Sequence, residues 1–167
     1  MNKQEIEHNL DETHRRFIEL IESIPESEYS LPTDNPAWTV GDILFHITLG
    51  PRALALEIWL TIHAAGLYNF LMRHFPSRFF NSVNAWFGSG RSKRVNRQGL
   101  LKAYGKAHAV IKSRLRRTRE EDLGKLVVYP ADFVAELAGE VTVERLFRYA
   151  TGHFEEHERA LRRDSLV

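Results

Sequence analysis

TVERLFRYATGHFEEHERAL, residues 142–161, is the stretch on which the fold turns. Val143, Leu146, Phe147, Ala150, Phe154 and Leu161 recur at spacings of three and four, the pattern of one buried helix face. Thr142 is placed to cap that helix, and Val141 to pack on Leu146 as a hydrophobic staple. His153 and His157 fall inside the stripe. At about 100° per residue, positions four apart differ by roughly 40° and lie one turn apart, so both imidazoles project toward a core. Two neutral imidazoles on one face supply two of the three ligands of an open metal site. Two core histidines hydrogen-bonded to their neighbours would show the same spacing.

Outward from this helix, three more amphipathic stretches are legible. The first covers about residues 2–24, with Ile6, Leu10, Phe17, Leu20, Ile21 and Ile24 on its apolar face, and Pro25 stops it. The loop 25–36 is rich in Pro, Ser, Asp and Asn. A second helix starts at Thr39, an N-cap, with Asp42 in the first turn, and buries Ile43, Ile47, Leu54 and Ile58. Gly50-Pro51 is expected to bend it. The next long helix covers about residues 98–121, with Leu101, Tyr104, Ala107, His108, Ile111 and Leu115 inward and a basic outer face. Residues 64–96 are read as one or two short helices and a basic linker. Their many aromatics suit extra core, a lid over a pocket, or a surface for a partner subunit. Residues 126–129, LVVY, suit a short strand. Four helices of about twenty residues with almost no strand predict an all-α, four-helix bundle. A single domain over residues 1–167 is expected, with a long connection between the second and third bundle helices.

A third ligand has to come from another helix at the same depth. His46 lies about seven residues, roughly 10 Å, into the second helix. It meets His153 and His157 if the second and fourth bundle helices run in opposite directions. Three histidines with an open fourth position suit zinc or a similar ion such as nickel. Such an ion holds water near neutral pH as its anion and polarises a substrate oxygen.

Composition narrows the chemistry. Cysteine is absent from the 167 residues, so neither disulfides nor thiolate ligands are available. The formal net charge is +1, which gives no global pull toward nucleic acid or a membrane surface. The N-terminal residues are charged and carry no apolar signal core, and the apolar region 43–62 contains His46, Arg52 and Glu57. A cytoplasmic protein is expected, with no membrane and no nucleic-acid partner.

WTVGDILFHI at 38–47, followed by Thr142-Val143 and then His153 and His157, resembles the DinB/YfiT-like family. The family pattern is a Trp-Thr/Ser start to the second helix, a His-Ile in its early inner turns, and His-x-x-x-His in the last helix. The resemblance implies a metal-binding bundle, often of up-down-down-up topology and often a homodimer. It implies His46, His153 and His157 as the ligands. It implies a small-molecule substrate, with activities that include transfer of low-molecular-weight thiols, thiol-dependent isomerisation and hydrolysis. Residues 64–97 depart from a minimal member in being longer and more aromatic.

The weaker candidates are Glu156 as a general base and His14 as a contact or proton carrier near the site. His14 lies on the inner stripe of the first helix, where a satisfied core histidine is the plainer reading. Glu57 shares a flank with His46 but lies three turns away, and a surface or supporting role is expected. HFEEH at 153–157 matches an inverted zinc-protease string but has few residues after it for the further acidic ligand, and Phe154 breaks the usual His-Glu-x-x-His form. The alternative to an enzyme is a bundle for dimerisation or partner binding, with a structural metal or none.

Overall fold

The computed structural model describes residues 2–35, 37–74, 96–133 and 135–164. Its helices are α1 (Lys3–Ser23), α2 (Val40–His63), α3 (Ala65–His74), α4 (Arg97–Arg117) and α5 (Val143–Asp164), with strands β1 (Leu126–Tyr129) and β2 (Gly139–Thr142) ahead of α5. The long helices start on polar caps. Asn2 with Glu5, and Thr39 with Asp42, form capping boxes on α1 and α2. Asn96 accepts from the Gly99 amide on α4, and the Thr142 hydroxyl accepts from the Arg145 amide at 3.1 Å on α5. α2 continues from Val40 to His63 with Pro51 inside it. α4 ends at Arg117, short of the expected residue 121. Thr118 turns extended there, and its hydroxyl donates to the Arg114 carbonyl at 2.9 Å. Arg119 and Lys125 then hold Asp122 in a separate short turn, Glu120–Gly124.

Contacts between helices set the topology. Lys3 reaches the Thr118 carbonyl at 2.7 Å and Arg97 reaches the Ile24 carbonyl at 3.1 Å, so α1 and α4 are antiparallel. Thr13 meets Thr151 and Arg16 meets Glu155, so α1 and α5 run parallel. His46 meets both His153 and His157, while Gly50, a turn later, lies on His153, so α2 and α5 are antiparallel. The order is therefore up-down-down-up. α1 and α2 each pack on α4 and α5, which leaves α1 and α2 diagonal to one another. This is the four-helix bundle expected from the sequence.

The core has two parts. One holds Ile6, Leu10, Leu54, Ile58, Ile111, Leu115, Leu146 and Phe147. The other holds Phe17, Ile21, Ile43, Leu44, Ile47, Tyr104, Phe154 and Leu161. Between them on each long helix lie polar side chains: Thr13 and His14 on α1, Thr48 on α2, His108 on α4, and Thr151 and His153 on α5. The histidines discussed below sit at or beside this seam. α2 is long and apolar enough to cross a membrane by length and composition, and its buried residues form part of both core regions.

β1 pairs antiparallel with β2, Leu126 opposite Thr142 and Tyr129 opposite Gly139. Gly139 has φ +83°, where a side chain is strained. β2 leads directly into α5, so the hairpin fixes where that helix starts. α3 accounts for part of the expected helical content of 64–96. The basic linker 91–95 and the aromatics Phe75, Phe79, Phe80, Trp86 and Phe87 lie outside the described residues.

Candidate metal centre

The Thr39–Asp42 box caps the start of α2, whose second turn carries His46. The hairpin and the Thr142 cap fix the start of α5, which carries His153 and His157. Because α2 and α5 are antiparallel neighbours, the three rings converge. Their ligand nitrogens all lie within 4.8 Å of one another. His153 Nε2 stands 3.0 Å from His46 Nε2 and 3.2 Å from His157 Nε2.

That spacing can be compared with a coordination shell. At metal–nitrogen distances of about 2.0–2.1 Å, ligand nitrogens stand roughly 2.9 Å apart across a right angle and roughly 3.3 Å apart across a tetrahedral one. The two observed separations fall between these values. Protons alone satisfy the cluster less well. Each neutral imidazole has one N–H and one lone pair, and His153 Nε2 has two nitrogen neighbours at bonding distance. The residues fit a divalent ion that accepts all three lone pairs.

Electrostatics favour the ligand form. Burial lowers the pKa of His46 to about 4, with a further push from His157. Burial also holds His153 well below the ordinary histidine range, reinforced by His157 and His46, and it lowers His157. All three are neutral at pH 7, as nitrogen ligands must be. His46 Nδ1 is buried with no hydrogen-bond partner. The His46 ring is positioned instead by Trp38, which meets it edge-on at 5.1 Å between centroids. Tyr149 flanks His153 at 5.9 Å.

His46 and His157 form one wall of a cavity of about 360 Å³. Trp38, Ile43 and Ala160 supply apolar surface, and Thr33, Asp34 and Asn35 supply polar groups from the loop before α2. Two of the three histidines, His46 and His157, are thus reached from a pocket large enough for a small molecule.

A family model for the DinB superfamily matches residues 9–160. The chain belongs to the DinB superfamily. Among solved structures, this DinB chain is similar to YfiT from Bacillus subtilis, described as a probable metal-dependent hydrolase with an unusual four-helix bundle topology. The TM-score is 0.73 at 15% identity, over 98% of this chain and 85% of that one. It is also similar to a mycothiol-dependent maleylpyruvate isomerase, with TM-score 0.69 at 13% identity over 96% of this chain. The chain spans only 61% of that isomerase's length. At these identities the likeness concerns the fold. No curated protein matches the chain.

The other expected residues of this DinB site lie elsewhere. Glu156 is exposed on the outside of α5. His14 stacks on His108 at 4.3 Å and on Tyr104 at 5.7 Å, in the α1–α4 interface. It belongs to a different face because α1 is diagonal to α2. Glu57 is half-buried and accepts a hydrogen bond from Tyr129, whose hydroxyl lies 3.3 Å from that of Tyr68. Burial raises the pKa of Glu57, and the two tyrosines oppose that shift. The residues 33–35 went unrecognised in the sequence. The available signal was a polar loop immediately before the helix whose second turn carries His46.

Proposed function

We propose that this DinB protein is a metal-dependent enzyme acting on a small molecule, with His46, His153 and His157 holding one divalent ion. The reaction class is hydrolysis or the transfer of a low-molecular-weight thiol. The observation that carries the reading is the convergence of three imidazoles, their ligand nitrogens within 4.8 Å of one another, with His46 and His157 in the wall of a cavity of about 360 Å³. When bound, the ion supplies a water or thiol held as its anion near neutral pH, and a Lewis acid for a substrate oxygen. Zinc and nickel suit three nitrogen donors.

The chain's own residues have separate tasks. The Nε2 atoms of His46 and His157 both lie against that of His153. Trp38 holds the His46 ring from its edge, while Trp38, Ile43 and Ala160 exclude water from one side of the pocket. A purely structural metal would call for a fourth protein ligand. Among the described residues no carboxylate or further histidine joins the three, which favours an open position for substrate.

Metal content of the purified full-length chain, measured by elemental mass spectrometry beside His46→Ala and His153→Ala, tests the reading. About one equivalent in wild type and a loss in both variants is expected. Absence of metal after reconstitution with zinc and with nickel would return the three side chains to the status of core histidines. Bound metal with no turnover or binding of any hydrolysable ester, amide or thiol substrate would favour the non-catalytic bundle.

A further inference from the structure

We infer that Asp42 is a positioning residue of the metal centre: its second carboxylate oxygen, Oδ1, accepts from the Nδ1–H of His46 when His46 Nε2 serves the ion. The inference rests on the proposed function in taking His46, His153 and His157 as the ligands.

Two buried atoms in the first turns of α2 carry it. Asp42 is 5% exposed, and its Oδ1 is buried with no hydrogen-bond partner among the described residues. His46 Nδ1, one turn further along the helix, is in the same condition. Buried polar atoms are seldom left unpaired, and these two lie four residues apart on one helix. Such residues share a face, with Cβ atoms about 5–6 Å apart. Helical side chains lean toward the N-terminus, so residue 46 covers the turn that carries residue 42. The His46 ring does reach that way, because it meets Trp38, which precedes the helix, at 5.1 Å between centroids.

The Asp42 carboxylate is already held in place. Its Oδ2 accepts from the Thr39 amide at 3.0 Å and from the Thr39 hydroxyl at 2.7 Å. The capping box thus uses one oxygen, fixes the side chain, and leaves the other oxygen over. The chemistry of a ligand histidine gives that oxygen a task. A neutral imidazole has a single proton, and with the Nε2 lone pair on a metal that proton is on Nδ1. Metal-binding histidines almost always donate it to a carboxylate, a backbone carbonyl or water, which fixes the ring and raises its basicity. Trp38 cannot serve His46 in this way, because an indole N–H only donates. Asp42 offers an acceptor on the adjacent turn.

The test measures zinc affinity of the purified full chain by chelator competition, for wild type, Asp42→Asn and Thr39→Ala. Asparagine has one acceptor oxygen where aspartate has two, so it can serve the Thr39 amide or His46 but not both. Asp42→Asn is expected to lower the affinity roughly tenfold. Thr39→Ala removes the cap hydroxyl and keeps the carboxylate, so its affinity should stay near that of wild type. Nitrogen-15 NMR of the zinc-loaded protein reads the ring itself. Wild type should show a slowly exchanging His46 Nδ1 proton shifted downfield by the carboxylate. The shift should persist in Thr39→Ala and be lost in Asp42→Asn. Unchanged affinity in Asp42→Asn, or an equal loss in Thr39→Ala, would make Asp42 a helix cap and nothing more. A freely exchanging His46 proton in zinc-loaded wild type would overturn the inference even if Asp42→Asn does not fold. Failure of wild type to take up zinc or nickel would sink the metal reading together with this one. One equivalent of zinc in wild type with a ring signal indifferent to Asp42 would sink this one alone.

Discussion

Gly50 of α2 lies so close to His153 of α5 that a Cβ there would meet Nδ1 at 3.1 Å and Cε1 at 3.2 Å. Glycine in a helix interior is worth about 1 kcal/mol less than alanine, so its presence in mid-helix calls for a reason. The reason visible here is the passage of an imidazole ring. Gly50→Ala should gain helix propensity while pushing His153 away from His46. Helical content by circular dichroism is expected to stay, and metal affinity in a chelator competition to fall roughly tenfold, the scale of losses when a ligand's support is disturbed. Unchanged affinity would show that the ring yields without consequence.

Tyr129 donates to the carboxylate of half-buried Glu57 from the β1–β2 hairpin, so it ties α2 to a segment far away in sequence. Tyr129→Phe removes one of the two tyrosine donors to this half-buried acceptor, at a cost of about 1 kcal/mol. Urea unfolding of the metal-free chain should show that loss. Glu57→Gln in the Tyr129→Phe background should recover part of it, since a neutral amide is less costly to bury. Metal affinity should not move in either variant, because this cluster contributes no ligand to the three histidines.

The bundle, its helix starts and the meeting of His46 with His153 and His157 were legible for a common reason. Each depends on local period, on a cap, or on two antiparallel helices in contact. His14 shows where such reasoning stops. Its place on the inner stripe of α1 was read correctly, but period alone does not say which helix lies opposite, and α4 rather than α2 does. The partner of Glu57 was hidden for another reason. Tyr129 comes from a strand, and the pairing of β1 with residues 139–142 is not written in any helical spacing. Thr33, Asp34 and Asn35 escaped notice because a loop's composition marks it as a loop without showing that it folds back to line a pocket beside His46.

The stacked pair His14 and His108 makes stability fall with acid. Burial lowers both pKa values and Lys112 adds to this; the His14 ring lowers His108 further, while Asp11 opposes the shift in both and the Leu10 backbone opposes it in His108. Tyr104 stacks on His14 as well. A histidine with a folded pKa below its unfolded value of about 6.5 binds protons more readily when unfolded. Its contribution is therefore fully present above about pH 6.5 and is lost as pH falls from there through the folded pKa. Urea unfolding of the metal-free chain at pH 7.5 and pH 5.5 should show a smaller difference for His14→Gln than for wild type. An equal difference in both would place the acid sensitivity elsewhere.

Thr39 joins the loop that carries Asp34 to the helix that carries His46. Its hydroxyl lies 3.2 Å from the Asp42 amide and 2.7 Å from Asp42 Oδ2, and its own amide donates to that carboxylate at 3.0 Å. Asp42 is only 5% exposed, so removing the hydroxyl leaves a buried carboxylate with one donor fewer. Thr39→Ala should cost about 1 kcal/mol, the usual value of an N-cap, and Thr39→Ser should cost far less. The first turn of α2 also backs the pocket through Ile43. Fraying it should still leave one equivalent of metal bound, because His46 lies in the second turn and is held by Trp38 and the α5 contact. Loss of metal in Thr39→Ala would show instead that the cap sets the height of His46 itself.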